Sequence, residues 1–202
     1  MKITAIKQQQ KRPDRYSIYV DGRFAFGLSE NDILRLGLRR EQEVTTVELA
    51  EFQVSATVGK AYERALSYLG IRPRSEKEVR DYLWRKEYEA AVINQVITKL
   101  QTLELLNDTQ FAREWISWRQ SGRPRSRRKL QQELVQKGVA REVIEAVLAD
   151  IDDETELAQL KELILRHAHR YDTQEKLMAY LARQGYGYGV IKQALQEHEE
   201  GV

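Results

Sequence analysis

Three stretches of this chain repeat one another. EVRDYLWRKEYEAAVINQVI, KLQQELVQKGVAREVIEAVL and KLMAYLARQGYGYGVIKQAL align so that Val79, Leu130 and Leu177 coincide, as do Leu83, Leu134 and Leu181. The pairs Val92-Ile93, Val143-Ile144 and Val190-Ile191 fall in line as well. The copies stand 51 and then 47 residues apart. Such a period marks a repeat architecture, in which each unit is too small to bury its apolar face alone and does so by stacking on its neighbour.

Each unit follows one grammar. A first helix (Ala56–Leu69, Thr109–Arg119, Glu156–His169) leads through a short turn to a second, whose apolar residues lie four apart. The second helix stops near Glu87, Gly138 or Gly185, the two glycines being natural residues to follow a helix end. A third helix carries the Val-Ile pair on its buried face. Repeats are expected over 46–106, 107–153 and 154–202, forming an elongated, curved array.

The first 45 residues read differently. Tyr16, Ile18 and Val20 alternate, Asp21-Gly22 follows, and Phe24, Phe26 and Leu28 alternate again. Asp-Gly between alternating runs predicts a hairpin, because both turn residues tolerate positive φ. Ile3 to Lys7 is a candidate third strand. Ser29 and Asp32 resemble a capping box, opening a short helix that Gly37 ends. Residues 1–45 therefore form a small β-rich subdomain, and so small a sheet must pack on the helices behind it. The fold class expected is mainly α, with three three-helix units after a hairpin-containing subdomain.

With no cysteine, disulfides and thiolate metal sites are excluded. The start, MKITAIKQQQKRPDRY, has no apolar core of a signal peptide. No stretch approaches the roughly 18 apolar residues of a membrane helix. A cytoplasmic monomer with no membrane contact is expected.

Net charge is only +2 although 32% of residues are charged, so distribution says more than balance. Arg119 to Lys129 holds six basic residues and no acidic one, and Asp150 to Glu156 holds five acidic residues and no basic one. Ser75, Ser126 and Thr173 stand where each second helix needs a cap. Ser75 and Glu78 form a capping box that suits the helix dipole. Ser126 is instead followed by Arg127, Arg128 and Lys129, and preceded by Arg123 and Arg125. Three cations in a first turn oppose the dipole by roughly 0.3–1 kcal/mol each when exposed. Such a start suits an anion, a phosphate or a carboxylate, meeting free N–H groups and side chains together. The plainer reading is a solvated basic turn, paired with the acidic run near Asp152. Arg72 and Arg74, in the matching RPRS of the first unit, would extend the same stripe.

Phe111, Trp115 and Trp118, at i, i+4 and i+7, read as a core-facing stripe. Tyr82 and Trp84 flank Leu83, off the inward register. Tyr186 and Tyr188 read as packing between helices.

Signatures of catalysis are missing. The sequence has no GxxxxGK[ST] loop, and Gly185, Gly187 and Gly189 precede an ordinary helix in place of closing a dinucleotide fold. His167 and His169, two apart on a helix, diverge too far to share a metal. No serine is set beside a histidine by any motif. No catalytic residue, metal or cofactor is expected.

The stretches ALSYLGIRPRSEKEVRDYL (Ala65–Leu83), KLQTLELLNDTQFAREW (Lys99–Trp115) and GRPRSRRKLQQELVQKGV (Gly122–Val139) together resemble the RecX family of bacterial recombination regulators. The resemblance covers roughly residues 56 to 195. It implies tandem three-helix units that bind RecA, the ATP-dependent recombinase that forms filaments on single-stranded DNA. Members mostly restrain RecA, blocking filament extension and depressing its ATPase and strand exchange, and some bind DNA directly. The partners implied are thus the RecA filament and single-stranded DNA, with duplex DNA a further option. The alternative is a sequence-tolerant DNA-binding repeat protein that acts through phosphate contacts without RecA. In either case Arg72, Arg74, Arg123, Arg125, Arg127, Arg128 and Lys129 are the contact candidates. The third unit lacks RPRS and has an acidic approach, Asp152–Glu156, so such roles do not carry over to it.

Overall fold

A computed structural model of the chain describes residues 1–122, 124–149 and 151–200, the side chains of Glu199 and Glu200 apart. The chain packs as two compact units, Met1–Arg72 with Val79–Leu105, and Pro73–Glu78 with Leu106–Val202.

The first unit opens with an antiparallel sheet of β1 (Ile3–Gln9), β2 (Arg12–Val20) and β3 (Arg23–Ser29), in the order β1-β2-β3. Asp21 and Gly22 turn the β2–β3 hairpin with φ of 46° and 80°, as Asp-Gly predicts. Ser29 then caps α1 (Glu30–Leu36) by accepting the Asp32 N–H, and Gly37 ends it at φ 62°. One face of the sheet, with Ile3, Ile18, Val20, Phe26 and Leu28, buries itself against Leu38, Val44 and Ala56.

Ala56 lies on α2 (Thr46–Leu69). That helix starts ten residues before the Ala56 expected from the repeat pattern, because Thr45 and Glu48 form a full capping box. Its extra turns underlie the sheet, which is the support that so small a sheet requires. Glu63 on α2 fastens the join: Arg15 Nη1 reaches its Oε2 at 2.7 Å and Arg12 Nη2 at 3.1 Å. Arg15 also donates to the Gly27 carbonyl at 3.1 Å.

Helices α3 (Glu76–Trp84) and α4 (Ala90–Thr102) follow, then α5 (Asp108–Gly122), α6 (Arg127–Gln136) and α7 (Arg141–Leu148). The last trio is α8 (Asp153–His167), α9 (Gln174–Arg183) and α10 (Tyr188–Glu200), a single 3-10 turn at Ala168–Arg170 standing between α8 and α9. A succession of three helices thus occurs three times. The equivalent positions read from the sequence are the cores of these trios. Val79, Leu83, Leu130, Leu134, Leu177 and Leu181 are all buried, as are Ile93, Ile144 and Ile191. Each such side chain contributes about 1.5–3 kcal/mol by leaving water. Val92 is buried with Ile93, but Val143 is half-buried and Val190 exposed, so in the second and third pairs the isoleucine does most of the packing.

The second helices end alike. Glu87, Gly138 and Gly185 have φ of 62°, 78° and 97°. The N–H of Val139 reaches back to the Leu134 carbonyl and that of Tyr88 to Leu83, closing the helix ends in the manner of a Schellman turn.

Candidate functional site

The second helix of each trio opens on the cap foreseen for it. Ser75 Oγ accepts the Glu78 N–H at 3.2 Å, Ser126 Oγ accepts Lys129 N–H at 3.2 Å, and Thr173 Oγ1 accepts Lys176 N–H at 3.4 Å. Glu78 returns the bond, its Oε2 accepting the Ser75 N–H at 3.3 Å.

A carboxylate from a later helix then completes two of these starts. The Glu76 N–H donates to Asp108 Oδ1 at 2.8 Å, and the Arg127 N–H donates to Glu156 Oε1 at 3.0 Å. Burial raises the pKa of the Asp108 carboxyl; the Glu76 N–H opposes that rise, and the Glu76 and Glu78 charges add to it. The turn that ends the next second helix also joins each start. Ser75 Oγ donates to the Lys137 carbonyl at 2.7 Å, and the Ser126 N–H donates to the Gln184 carbonyl at 3.1 Å. Each carbonyl immediately precedes a left-handed glycine. A Cβ on Gly138 would lie 2.5 Å from Lys77 Cδ and 2.6 Å from Lys77 Cβ, so glycine is needed there for its space as well as its φ.

This joint corrects the reading of Ser126–Lys129 as an open anion site. The chain's own Glu156 takes the Arg127 N–H, and the Ser126 hydroxyl takes that of Lys129. The acidic run after α7 therefore supplies the anion that the dipole of α6 favours. Two of the three N–H groups of the first turn are thus taken, and the side chains of Arg127 and Arg128 stay exposed.

The candidate cations differ in their settings. Arg127 and Arg128 are exposed and line a groove of about 550 Å³ with Gln131, Glu145, Glu156 and Gly187. Lys129 is half-buried against the turn at Gly185. Arg125 turns away, its Nη1 donating to Glu133 Oε1. Arg72 is exposed in the first unit and Arg74 half-buried in the second. Arg123 lies outside the described residues.

Glu133 was not legible as a special residue. It is 9% exposed and collects three donors: Arg125, Trp115 Nε1 at 2.9 Å and Arg119 Nε at 2.8 Å. A buried carboxylate needs such partners. The Arg119 guanidinium also lies 4.6 Å from the ring centroids of both Trp115 and Trp118. Lys137 stands 4.9 Å from the Trp115 ring and pairs with Glu78 Oε1 at 2.8 Å. A repeat-aware reading had a clue, because Glu133 occupies the place of Tyr82 and Tyr180 in the other copies.

The aromatic stripe is also corrected. Phe111 is buried and Trp115 packs on the core, but Trp118 is 64% exposed. Beyond Ile116 the inward side of α5 is taken by half-buried Arg119 and Gln120, and Trp118 falls on the exposed side. Trp84 is exposed, Tyr186 is buried, and Tyr188 is exposed instead of packed between helices. Among the described residues, no group of three or more His, Asp or Glu is placed to hold a metal ion, and no helix is long and apolar enough to cross a membrane.

An N-terminal antiparallel sheet followed by recurring capped three-helix sets defines the class, a tandem helical-repeat protein. Family comparisons make it specific. Residues 1–45 match the regulatory protein RecX N-terminal domain, 61–100 the first RecX three-helix domain, and 107–148 the second. The chain belongs to the RecX family of regulatory proteins.

Among its relatives, a regulatory protein RecX of Listeria monocytogenes is 32% identical over 98% of this chain and 76% of its own length. One from Bacillus velezensis is 32% identical over 98% of this chain and 77% of its own. A crystal structure of a regulatory protein RecX superposes with a TM-score of 0.76 at 25% identity, covering 95% of this chain and 98% of that one. The RecX structure from Lactobacillus salivarius gives 0.61 at 27% identity, over 69% and 95%.

Proposed function

We propose that this protein binds RecA filaments on single-stranded DNA and restrains them, lowering filament extension, ATP hydrolysis and strand exchange. The observation that carries the reading is the ordered match of three RecX domains along the chain. The protein acts without catalysis, as a cytoplasmic monomer. Its working parts are the sheet-bearing 1–45 and the repeats 46–106, 107–153 and 154–202.

Arg127 and Arg128 are the main contacts, because both are exposed, and the Arg127 N–H is already taken by Glu156. Arg72, Arg74, Arg123 and Lys129 are further contact candidates. Arg125 is a positioning residue, through Glu133. The contacts meet DNA phosphates or acidic side chains of RecA, both of which suit guanidinium forks.

The run of six basic residues also favours a second reading, a DNA binder that acts alone. Binding to assembled RecA filament and to bare single strand, compared across a salt series, separates the two. The proposal expects much tighter binding to filament. Equal binding to both, falling steeply with salt through counterion release, supports the second reading.

A further inference from the structure

The Trp118 ring remains unexplained by the packing. A tryptophan 64% exposed on the surface of a stable helix needs a reason, since so large an apolar ring gains most by burial. Trp118 is nonetheless held firmly. The Arg119 guanidinium lies over it at 4.6 Å, the Trp115 ring stands 5.7 Å away, and both neighbours are fixed by the buried Glu133. Among the described residues, Ser121 and Gly122 on the next turn add little bulk beside it. Ser121 is small and bonds its own helix at Ser117, and a Cβ at Gly122 would meet nothing within 4 Å. Glu114, one turn before, is engaged by Gln110 at 2.9 Å.

Directly after Trp118 the chain enters its most basic stretch, Arg119 to Lys129, with no acidic residue in it. In the structure Arg119 lies over the ring, and Arg127 and Arg128 are the exposed cations further along; an aromatic face that carries a cation matches single-stranded nucleic acid, whose bases stack while phosphates meet charges. It fits a duplex poorly, because paired bases present no free face.

We infer that Trp118 is a stacking platform for an unpaired base of single-stranded DNA, with Arg119 and Glu133 as its positioning residues. The inference rests on the DNA-contact part of the function proposed above. The ring is 64% exposed even with Arg119 and Trp115 against it, and that exposed part is what a base would meet.

The test uses the full chain, a labelled oligothymidylate, and an abasic deoxyribose-phosphate strand of equal length. Wild type binds the base-bearing strand more tightly than the abasic one. Trp118→Ala weakens oligothymidylate binding about tenfold, as loss of one stacked base implies, and leaves abasic binding unchanged. Trp118→Phe keeps a ring and retains most of the affinity, which controls for damage to the fold. Unchanged binding of Trp118→Ala to oligothymidylate overturns the inference, as does an equal loss on both strands. Failure of wild type to bind either strand, with RecA hydrolysis still inhibited, overturns the platform and leaves the RecA reading standing.

Discussion

The Ser75 hydroxyl donates to the carbonyl of Lys137, 62 residues away, at 2.7 Å, while its lone pair caps α3 by accepting the Glu78 N–H. One buried oxygen thus serves a helix start and a distant helix end. Ser75→Ala removes both bonds and leaves the Lys137 carbonyl without that partner, a loss of about 2–3 kcal/mol. Thr173→Ala removes only an exposed cap and costs about 1 kcal/mol or less. Urea unfolding of the two variants measures the difference. Equal losses would mean that the bond to Lys137 adds nothing to stability.

Glu133 holds Trp115, Arg119 and Arg125 at once. Glu133→Ala destabilises by about 2–3 kcal/mol, less than for a fully enclosed pair because the arginines can turn toward water. The Arg119 and Arg125 side chains are already 22% and 25% exposed. Glu133→Gln keeps the shape and loses roughly half as much. Near-ultraviolet circular dichroism should report the loosened tryptophan pair in both.

Arg127 and Arg128 stand in the first turn of α6, where cations oppose the dipole. The double change Arg127→Gln, Arg128→Gln therefore leaves thermal stability unchanged or raises it by about 1 kcal/mol, while weakening the action on RecA. Arg125→Gln does the reverse to stability, lowering it through Glu133. A melting curve and a RecA assay on the same preparations separate contact from support.

Asp108 gives a pH signature. Burial raises its folded pKa above the ordinary 3.8, so the folded state holds a proton that the unfolded chain releases. Its stability contribution is complete below the ordinary value and is lost as pH rises through the raised one. Asp108→Asn keeps an oxygen for the Glu76 N–H and lacks that decline. Melting temperatures between about pH 3 and pH 7 should shift in favour of the variant as pH rises through the window, then level off. A constant difference across the range would contradict the burial effect.

Periodicity carried most of the fold, for a physical reason. Leu83, Leu134 and Leu181 bury because their neighbours recur at helical spacing, and Asp21-Gly22 turns because the backbone demands positive φ. The caps Ser75, Ser126 and Thr173 were equally local and equally legible. The plainer reading of the basic turn, paired with the acidic run after α7, is met by Glu156 at the Arg127 N–H, whereas the Ser75–Lys137 and Glu76–Asp108 bonds arise through packing that spacing along one helix does not encode. Trp118 misled for a related reason. Its spacing from Phe111 places it on the inward side, but past Ile116 the buried Glu133 draws Arg119 inward and Trp118 is left exposed. Likewise, Arg125 and Arg127 look alike in sequence and differ because one has a buried carboxylate within reach.

The most direct test of the account is single-stranded-DNA-dependent ATP hydrolysis by the cognate RecA, with this protein titrated in at several DNA concentrations. The account predicts inhibition at substoichiometric protein that excess DNA does not relieve, and its loss on changing Arg127 and Arg128 together. No inhibition, or inhibition that added DNA abolishes, would contradict direct action on the filament.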